Sequence, residues 1–413
     1  MSGKAVPDGA EILVVRQQRF VLAVLIMFSL GSVCARATDG NELIGIGAVQ
    51  KGTAGAGVAA PQDAMWILLN PASIIALERR VDVSAEFLDL YRGAEPHGFP
   101  LIVNPTAFEL ADHGTIFVPS VALVWPLKVG TIGFGLLGTQ GNNADFDRSR
   151  TTWPFSRGND RRSDLQVARM PISYAYQFDN GWTIGGSIMP VLTAFRTDSL
   201  TLQLRPTEGD YKREVGWGIG VQVAVYKEWE RLSFGATWRS RQAVEQYKLY
   251  EEPIRWNLDL PEVIQAGFAW KVTDKLQLLA DYKFQHWSKL KQFHNPTIKG
   301  GLGWNDQNIY KIGAIYRAND KWTFRTGYSR GNPAVDEQHI FANIITPAIA
   351  EDHFTFGFTR KLTKNSDFHF AWTHTFPEDR KDDGTGDIFS KLGKGSRVQY
   401  EEDAYTFQYT YKF

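Results

Sequence analysis

The chain has one cysteine, Cys34, no excess charge of either sign, and no apolar run long enough to cross a bilayer as a helix. Each absence removes a class of function. A single cysteine excludes a disulfide framework and a thiolate metal site. The 45 basic and 45 acidic residues cancel, so no basic stripe is at hand for nucleic acid. The eight histidines show no His-Glu-x-x-His or similar spacing. No Gly-x-x-x-x-Gly-Lys-Ser/Thr run marks an ATP site, and no Gly-x-Ser-x-Gly elbow marks a hydrolase. The expectation is a protein that is not an enzyme and that uses no metal and no cofactor.

What the chain does have is aromatic residues and glycine: 26 Phe, 15 Tyr, 13 Trp and 38 Gly. That pairing favours strands and tight turns over helices. The mean hydropathy of -0.26 is that of a soluble protein. A membrane barrel reads the same way, because its strands alternate apolar with polar.

The first segment reads as a secretory leader. Arg16 and Arg19 precede an apolar stretch at 20–30, FVLAVLIMFSL, followed by Ala35-Arg36-Ala37. A basic region, a short apolar core and an Ala-x-Ala site predict cleavage after Ala37, so that 1–37 is a signal peptide. A membrane anchor is the alternative, but this core is too short to span. Lipidation at Cys34 is a second alternative, for which Val33 is a poor preceding residue.

Residues 38–80 carry no sustained period. Gly and Ala dominate 45–72, and a helical turn at 64–69 is expected to end at Asn70-Pro71, since proline restricts the residue before it. From Val81 the pattern changes to period two: Val81, Val83, Ala85 and Phe87 alternate with Asp82, Ser84 and Glu86. The alternation recurs about fourteen times, an even number as outer-membrane barrels require. Connections alternate between two or three residues, such as 128–129, 273–274 and 318–320, and long ones near 92–114, 288–305 and 331–350. Short periplasmic turns opposite long outer loops characterise such barrels. In the last strand Tyr405, Phe407, Tyr409, Tyr411 and Phe413 share one face. The expected fold is all-β: an antiparallel transmembrane barrel over 81–413 with a small plug, 38–80, inside it. Its place is the outer membrane of a Gram-negative bacterium. There it meets lipid and lipopolysaccharide, and Phe413 ends the chain like a sorting signal for the outer-membrane assembly machinery.

The Gly/Ala run, Asp63-Ala64 and Asn70-Pro71-Ala72, followed by a barrel pattern, resemble the start of the FadL-type transporters of long-chain fatty acids and aromatic hydrocarbons. The resemblance implies a monomeric barrel closed by a hatch, with Asn70, Pro71 and Ala72 as part of that hatch. It also implies uptake through a kink in the third strand, which here is GTIGFGLLG at 130–138 with Gly133, Gly135 and Gly138. Glycines permit a bend; they equally make room for a plug.

Placing aromatic faces outward puts Glu86, Arg169, Gln222, Arg239, Lys271, Asp281, Lys283, Lys311, Arg325 and His369 inside. A lipid-facing Arg or Lys at mid-depth costs roughly 2–4 kcal/mol. Arg325, Lys283, Arg239 and Lys311 are then candidates to hold a fatty-acid carboxylate, or else pair with Glu86, Asp281 or the plug. Apolar residues in the long loops, Trp153, Pro154, Phe155, Tyr247, Leu249, Tyr250, Ile340, Phe341, Ile344 and Ile345, are candidates to catch a greasy ligand at loop tips, with loop packing and lipopolysaccharide contact as alternatives. The leading function is passive uptake of hydrophobic molecules, foremost long-chain fatty acids. Aromatic hydrocarbons through the same barrel, a polar-solute porin and a surface adhesion protein are the alternatives.

Overall fold

The computed structural model describes residues 39–97, 109–110, 115–146, 161–197, 213–248 and 257–413. The leader and its cleavage site lie outside them, as do Trp153, Pro154, Phe155, Leu249 and Tyr250. One antiparallel sheet closes on itself as a barrel of fourteen strands. In chain order these are β1 (Arg80–Glu95), β2 (Ile116–Pro126), β3 (Thr131–Phe146), β4 (Arg161–Arg169 and Ile172–Gln177), β5 (Trp182–Thr197), β6 (Glu214–Glu228) and β7 (Leu232–Arg239). They continue with β8 (Glu262–Lys271), β9 (Leu276–His286), β10 (Gln307–Arg317), β11 (Trp322–Gly331), β12 (Asp352–Lys361), β13 (Ser366–Lys381) and β14 (Arg397–Lys412). Closure is made by β1 against β14, in register from Arg80↔Lys412 to Glu95↔Arg397. A barrel leaves no sheet edge, which is what permits strands to cross hydrocarbon.

Side-chain alternation sorts the two faces. In β14, Tyr405, Phe407, Tyr409 and Tyr411 point out while Thr406, Gln408 and Thr410 are buried inside. Outward rings meet across strands, as Phe370–Phe407 and Phe87–Phe117 do with centroids 5.4 Å apart. The C-terminal residue closes the seam: Phe413 N–H donates to the Arg79 carbonyl at 3.2 Å, and the Arg79 guanidinium lies 3.2 Å from the Trp125 ring centroid.

The chain before β1 folds inside the barrel around two short helices, α1 (Gly47–Lys51) and α2 (Trp66–Leu69), and a 3-10 turn, Ser73–Ala76. Helix α2 stops where Pro71 demands it: Asn70 is extended, with φ -153 and ψ 95. Almost every residue from Asp39 to Ala60 is buried, charged ones included. The wall opposite is thinned by glycine. A Cβ at Gly185 would lie 2.3 Å from the Ala72 nitrogen, and one at Gly235 would lie 2.2 Å from the Val58 oxygen.

Two expectations change. The apolar loop residues among those described are not exposed tips. Ile340 and Ile344 are buried, Phe341 packs on Gly393, and Tyr247 is buried with its hydroxyl on Thr193 Oγ1 at 2.6 Å. Phe341 meets a neighbouring loop, and Tyr247 meets the wall strand β5, its ring 5.3 Å from that of Phe195. The second change is Lys271. It is not in the lumen core but partly exposed near a short turn, donating to Glu228 at 2.6 Å.

Candidate functional site

The plug is latched to the wall by its own carboxylates. Glu42 Oε1 accepts from Arg169 Nη1 at 2.9 Å and from Arg239 Nη2; its Oε2 accepts from Lys283 Nζ at 2.8 Å and Gln285 Nε2 at 2.9 Å. Asp39 Oδ2 accepts from Lys283 at 2.8 Å and Lys311 at 2.9 Å. Burial alone would raise the Glu42 carboxyl, but Arg239, Lys283 and Arg169 hold it well below the usual carboxylate range. Asp39, likewise opposed by burial, is lowered by Lys283 and Lys311.

Three of the four cations considered for a ligand carboxylate, Lys283, Arg239 and Lys311, are therefore engaged by the plug. The fourth, Arg325, is engaged by the plug too, but through a neutral group. It donates to Gln62 Oε1 of the plug at 3.0 and 2.8 Å and to Thr359 Oγ1 at 2.6 Å. The organising residues Asp39 and Glu42 were not singled out from the sequence. A signal was there: they are the only acidic residues between 38 and 62, in a segment that has to sit in the lumen.

Asn70 braces the plug in three directions. Its side chain donates to the Val58 carbonyl at 2.8 Å and the Val225 carbonyl of β6 at 3.2 Å, and accepts from Ala72 N at 3.0 Å. Pro71 and Ala72 lie directly on Gly185 of β5. At the β1–β14 wall, Asp63 accepts from Gln408 at 2.7 Å and from Met65 N at 2.9 Å, while Arg80 clamps Asp82. Burial and the Asp82 carboxylate push the Asp63 carboxyl up to about 7, against the pull of Arg80. The sign follows. The seated plug keeps a proton on Asp63 that a free plug, with an ordinary value of 3.8, releases, so seating is strongest at low pH and weakens as pH climbs through that window. Glu42 has the opposite sign, and its contribution is lost progressively as pH falls from its ordinary 4.5 through its depressed value. Steady conductance in planar bilayers is expected to be higher at about pH 8 than at about pH 5.5, and Asp63→Asn to flatten that difference. Equal conductance at both values in the parent protein would refute the assignment.

The wall is irregular at β3 to β5. The β3–β4 register shifts between Gly138 and Gln140, and β4 is interrupted at Met170-Pro171. Gly135 N–H donates to the Pro171 carbonyl at 3.1 Å, and Met170 N–H to the Pro190 carbonyl of β5 at 2.9 Å. Proline cannot donate to a ladder, which accounts for the interruption. At this place β3 turns its backbone to the plug: Leu43 N–H donates to Thr139 O at 3.0 Å and Gly141 N–H to Asn41 O at 3.1 Å. Gly133 and Gly135 face the plug, where an added Cβ would approach Ile67 to 2.5 and 2.6 Å; Gly138 faces Val118 of β2.

Among the described residues, one trio of carboxylates, Glu351, Asp352 and Glu378, comes close enough to share a cation. Arg380 and Arg330 are already ion-paired with its members.

Residues 33–413 match the family described as outer membrane protein transport protein (OMPP1/FadL/TodX). Outer membrane protein P1 of Haemophilus influenzae is 23% identical over 299 residues, which is 60% of this chain and 63% of that protein. The 47 kDa outer membrane protein of Pasteurella multocida is 27% identical over 130 residues, 30% of each chain. The chain thus spans less than two thirds of the length of the curated relatives it matches. Among solved structures, the toluene transporter TodX of Pseudomonas putida superposes with a TM-score of 0.70 at 16% identity, covering 90% of this chain and 99% of that one. A Pseudomonas aeruginosa FadL homologue gives 0.68 at 14% identity, covering 91% and 100%.

Proposed function

Because this chain belongs to the outer membrane protein transport protein (OMPP1/FadL/TodX) family, and so to the outer membrane of a Gram-negative bacterium, we propose that it admits hydrophobic molecules by diffusion through a barrel gated by its plug. The observation that carries this reading is the latch beside the broken ladder. The first plug segment is held both by lumen cations and by the backbone of β3, next to the interruption at Pro171. A shift of residues 39–43 releases both at once. Gly135 and Gly138 of β3, with Met170-Pro171 of β4, then mark the place where a ligand leaves sideways into the membrane.

An uncharged ligand, such as a monoaromatic hydrocarbon, fits the latched arrangement best. It needs no counter-ion, and Lys283, Arg239 and Lys311 have theirs. A long-chain fatty acid is the second reading. What favours it is that four buried cations converge on two plug carboxylates; a fatty-acid carboxylate competing with Glu42 would find them preassembled.

The test is uptake of radiolabelled toluene and oleate by cells lacking the protein, and by the same cells complemented. Loss of toluene uptake alone supports the first reading, loss of oleate uptake the second. Unchanged uptake of both overturns transport. Asn70→Ala combined with Pro71→Ala is expected to leave the barrel assembled, with its shifted mobility in unheated gels, while uptake falls several-fold. Each buried hydrogen bond lost from Asn70 costs about 1–3 kcal/mol, and the plug is the part that depends on them.

A further inference from the structure

On the outer wall, across β8 to β12, lies a groove of about 540 Å³. Its floor is made of small residues, Ala280, Ala314 and Thr326, and of the paired Gly313 and Gly327. Its rims are large and exposed, with Phe268 and Trp270 on one side and Phe354 on the other. The two hydroxyls along it are already committed: Thr326 donates to the Thr355 carbonyl at 2.9 Å, and Tyr328 donates to Asp352. The groove therefore offers a ligand apolar contact and no polar partner. Behind the floor the wall is one backbone thick, because an added Cβ at Gly327 would lie 2.3 Å from Thr53 of the plug.

Its depth identifies the occupant. Trp270 and Leu278 flank the short turn at 272–275, and Ala314 and Thr326 flank the turn at 318–321, each two to five residues away. With strands rising about 3.3 Å per residue and tilted about 40°, that is roughly 5–13 Å above the short-turn edge. This depth is the hydrocarbon of the periplasmic leaflet. At the edge itself stand the exposed cations Lys275, Lys321 and Arg360, the last with its guanidinium 5.4 Å from the Trp322 ring centroid. We infer that the groove is a phospholipid site: one acyl chain of a periplasmic-leaflet phospholipid lies along Ala280, Ala314 and Thr326, with its phosphate at that cationic edge. The groove is continuous with the bilayer-facing surface, and its volume is in the range of built hydrophobic ligand pockets. An ordered chain here replaces the side chains that the floor lacks, and so backs the wall where the plug presses on it.

The test uses the full-length protein in nanodiscs containing phosphatidylglycerol with a photoactivatable acyl chain. Cross-links are mapped by mass spectrometry. Labelling on the groove strands is expected to exceed, several-fold, that on the outward face of β6 at Val223, which is as exposed to lipid and lies six residues from its short turn. Ala314→Trp, which fills the groove from outside, is expected to bring it down to the β6 level. Equal labelling of both faces in the parent protein overturns the site, and this comparison stands whether or not the variant assembles. Cross-links to a second copy of the chain in place of lipid overturn it as well.

Discussion

Glu42→Gln combined with Asp39→Asn is expected to turn a closed barrel into one with steady conductance. The double substitution removes the two carboxylates that hold Arg169, Arg239, Lys283 and Lys311. Breaking a buried pair by removing one partner costs about 3–5 kcal/mol, because the other charge stays buried and uncompensated. At about 1.4 kcal/mol per factor of ten, the seated fraction of the plug falls two to three orders of magnitude relative to the unseated fraction. The barrel itself has a way out of this cost: once the plug leaves, water enters and solvates the four cations. Assembly is therefore expected to persist while single-channel conductance in planar bilayers rises from little to large. Adding Arg239→Gln to Glu42→Gln should recover part of the closure, since the two residues act as a pair. A double variant that stays as closed as the parent would remove the latch from the gating scheme.

Gly185→Val is expected to unseat the plug by a different route. A Cβ at this position meets the plug backbone, with Pro71 C at 2.6 Å and Ala72 N at 2.3 Å, so something must shift. Overpacking costs typically 1–3 kcal/mol, and more where the obstacle is backbone. The neighbouring Gly186 is the control. Its side faces out, and its added Cβ meets only the Gln222 oxygen, at 3.6 Å. Gly186→Val is therefore expected to be nearly silent, while Gly185→Val shows raised conductance and faster protease cleavage of the plug. Two adjacent glycines with opposite outcomes are a direct reading of strand alternation. Equal effects at both positions would mean that the loss came from the strand and not from the seat.

The barrel was legible in the sequence because its signal is local. Period two in β14, with Tyr405 to Tyr411 on one face, follows from the pleat alone. Asn70-Pro71 ends α2 by a rule that involves only neighbouring residues. The same holds for the alternation of short turns and long loops, and for the balance of charge.

The partners inside the lumen could not be read this way. Glu42 is separated from Arg239 by 197 residues and from Lys283 by 241; nothing local to either position selects the other. Alternation placed Lys283, Lys311 and Arg239 inside, but whether they were free or paired depended on where the plug came to rest. Likewise Gly133, Gly135 and Gly185 have the same composition whether they bend a strand or admit a plug; Ile67 and Ala72 packed against them distinguish the cases. The loop residues Ile340 and Ile344 show the same limit, since an apolar side chain in a long loop is exposed or buried according to which other loop covers it. The sequence by itself determined the faces of each strand, because a pleat is set by consecutive residues. The tertiary structure alone decided which buried charges meet, because closing the barrel around the plug is what brings distant residues within hydrogen-bond reach.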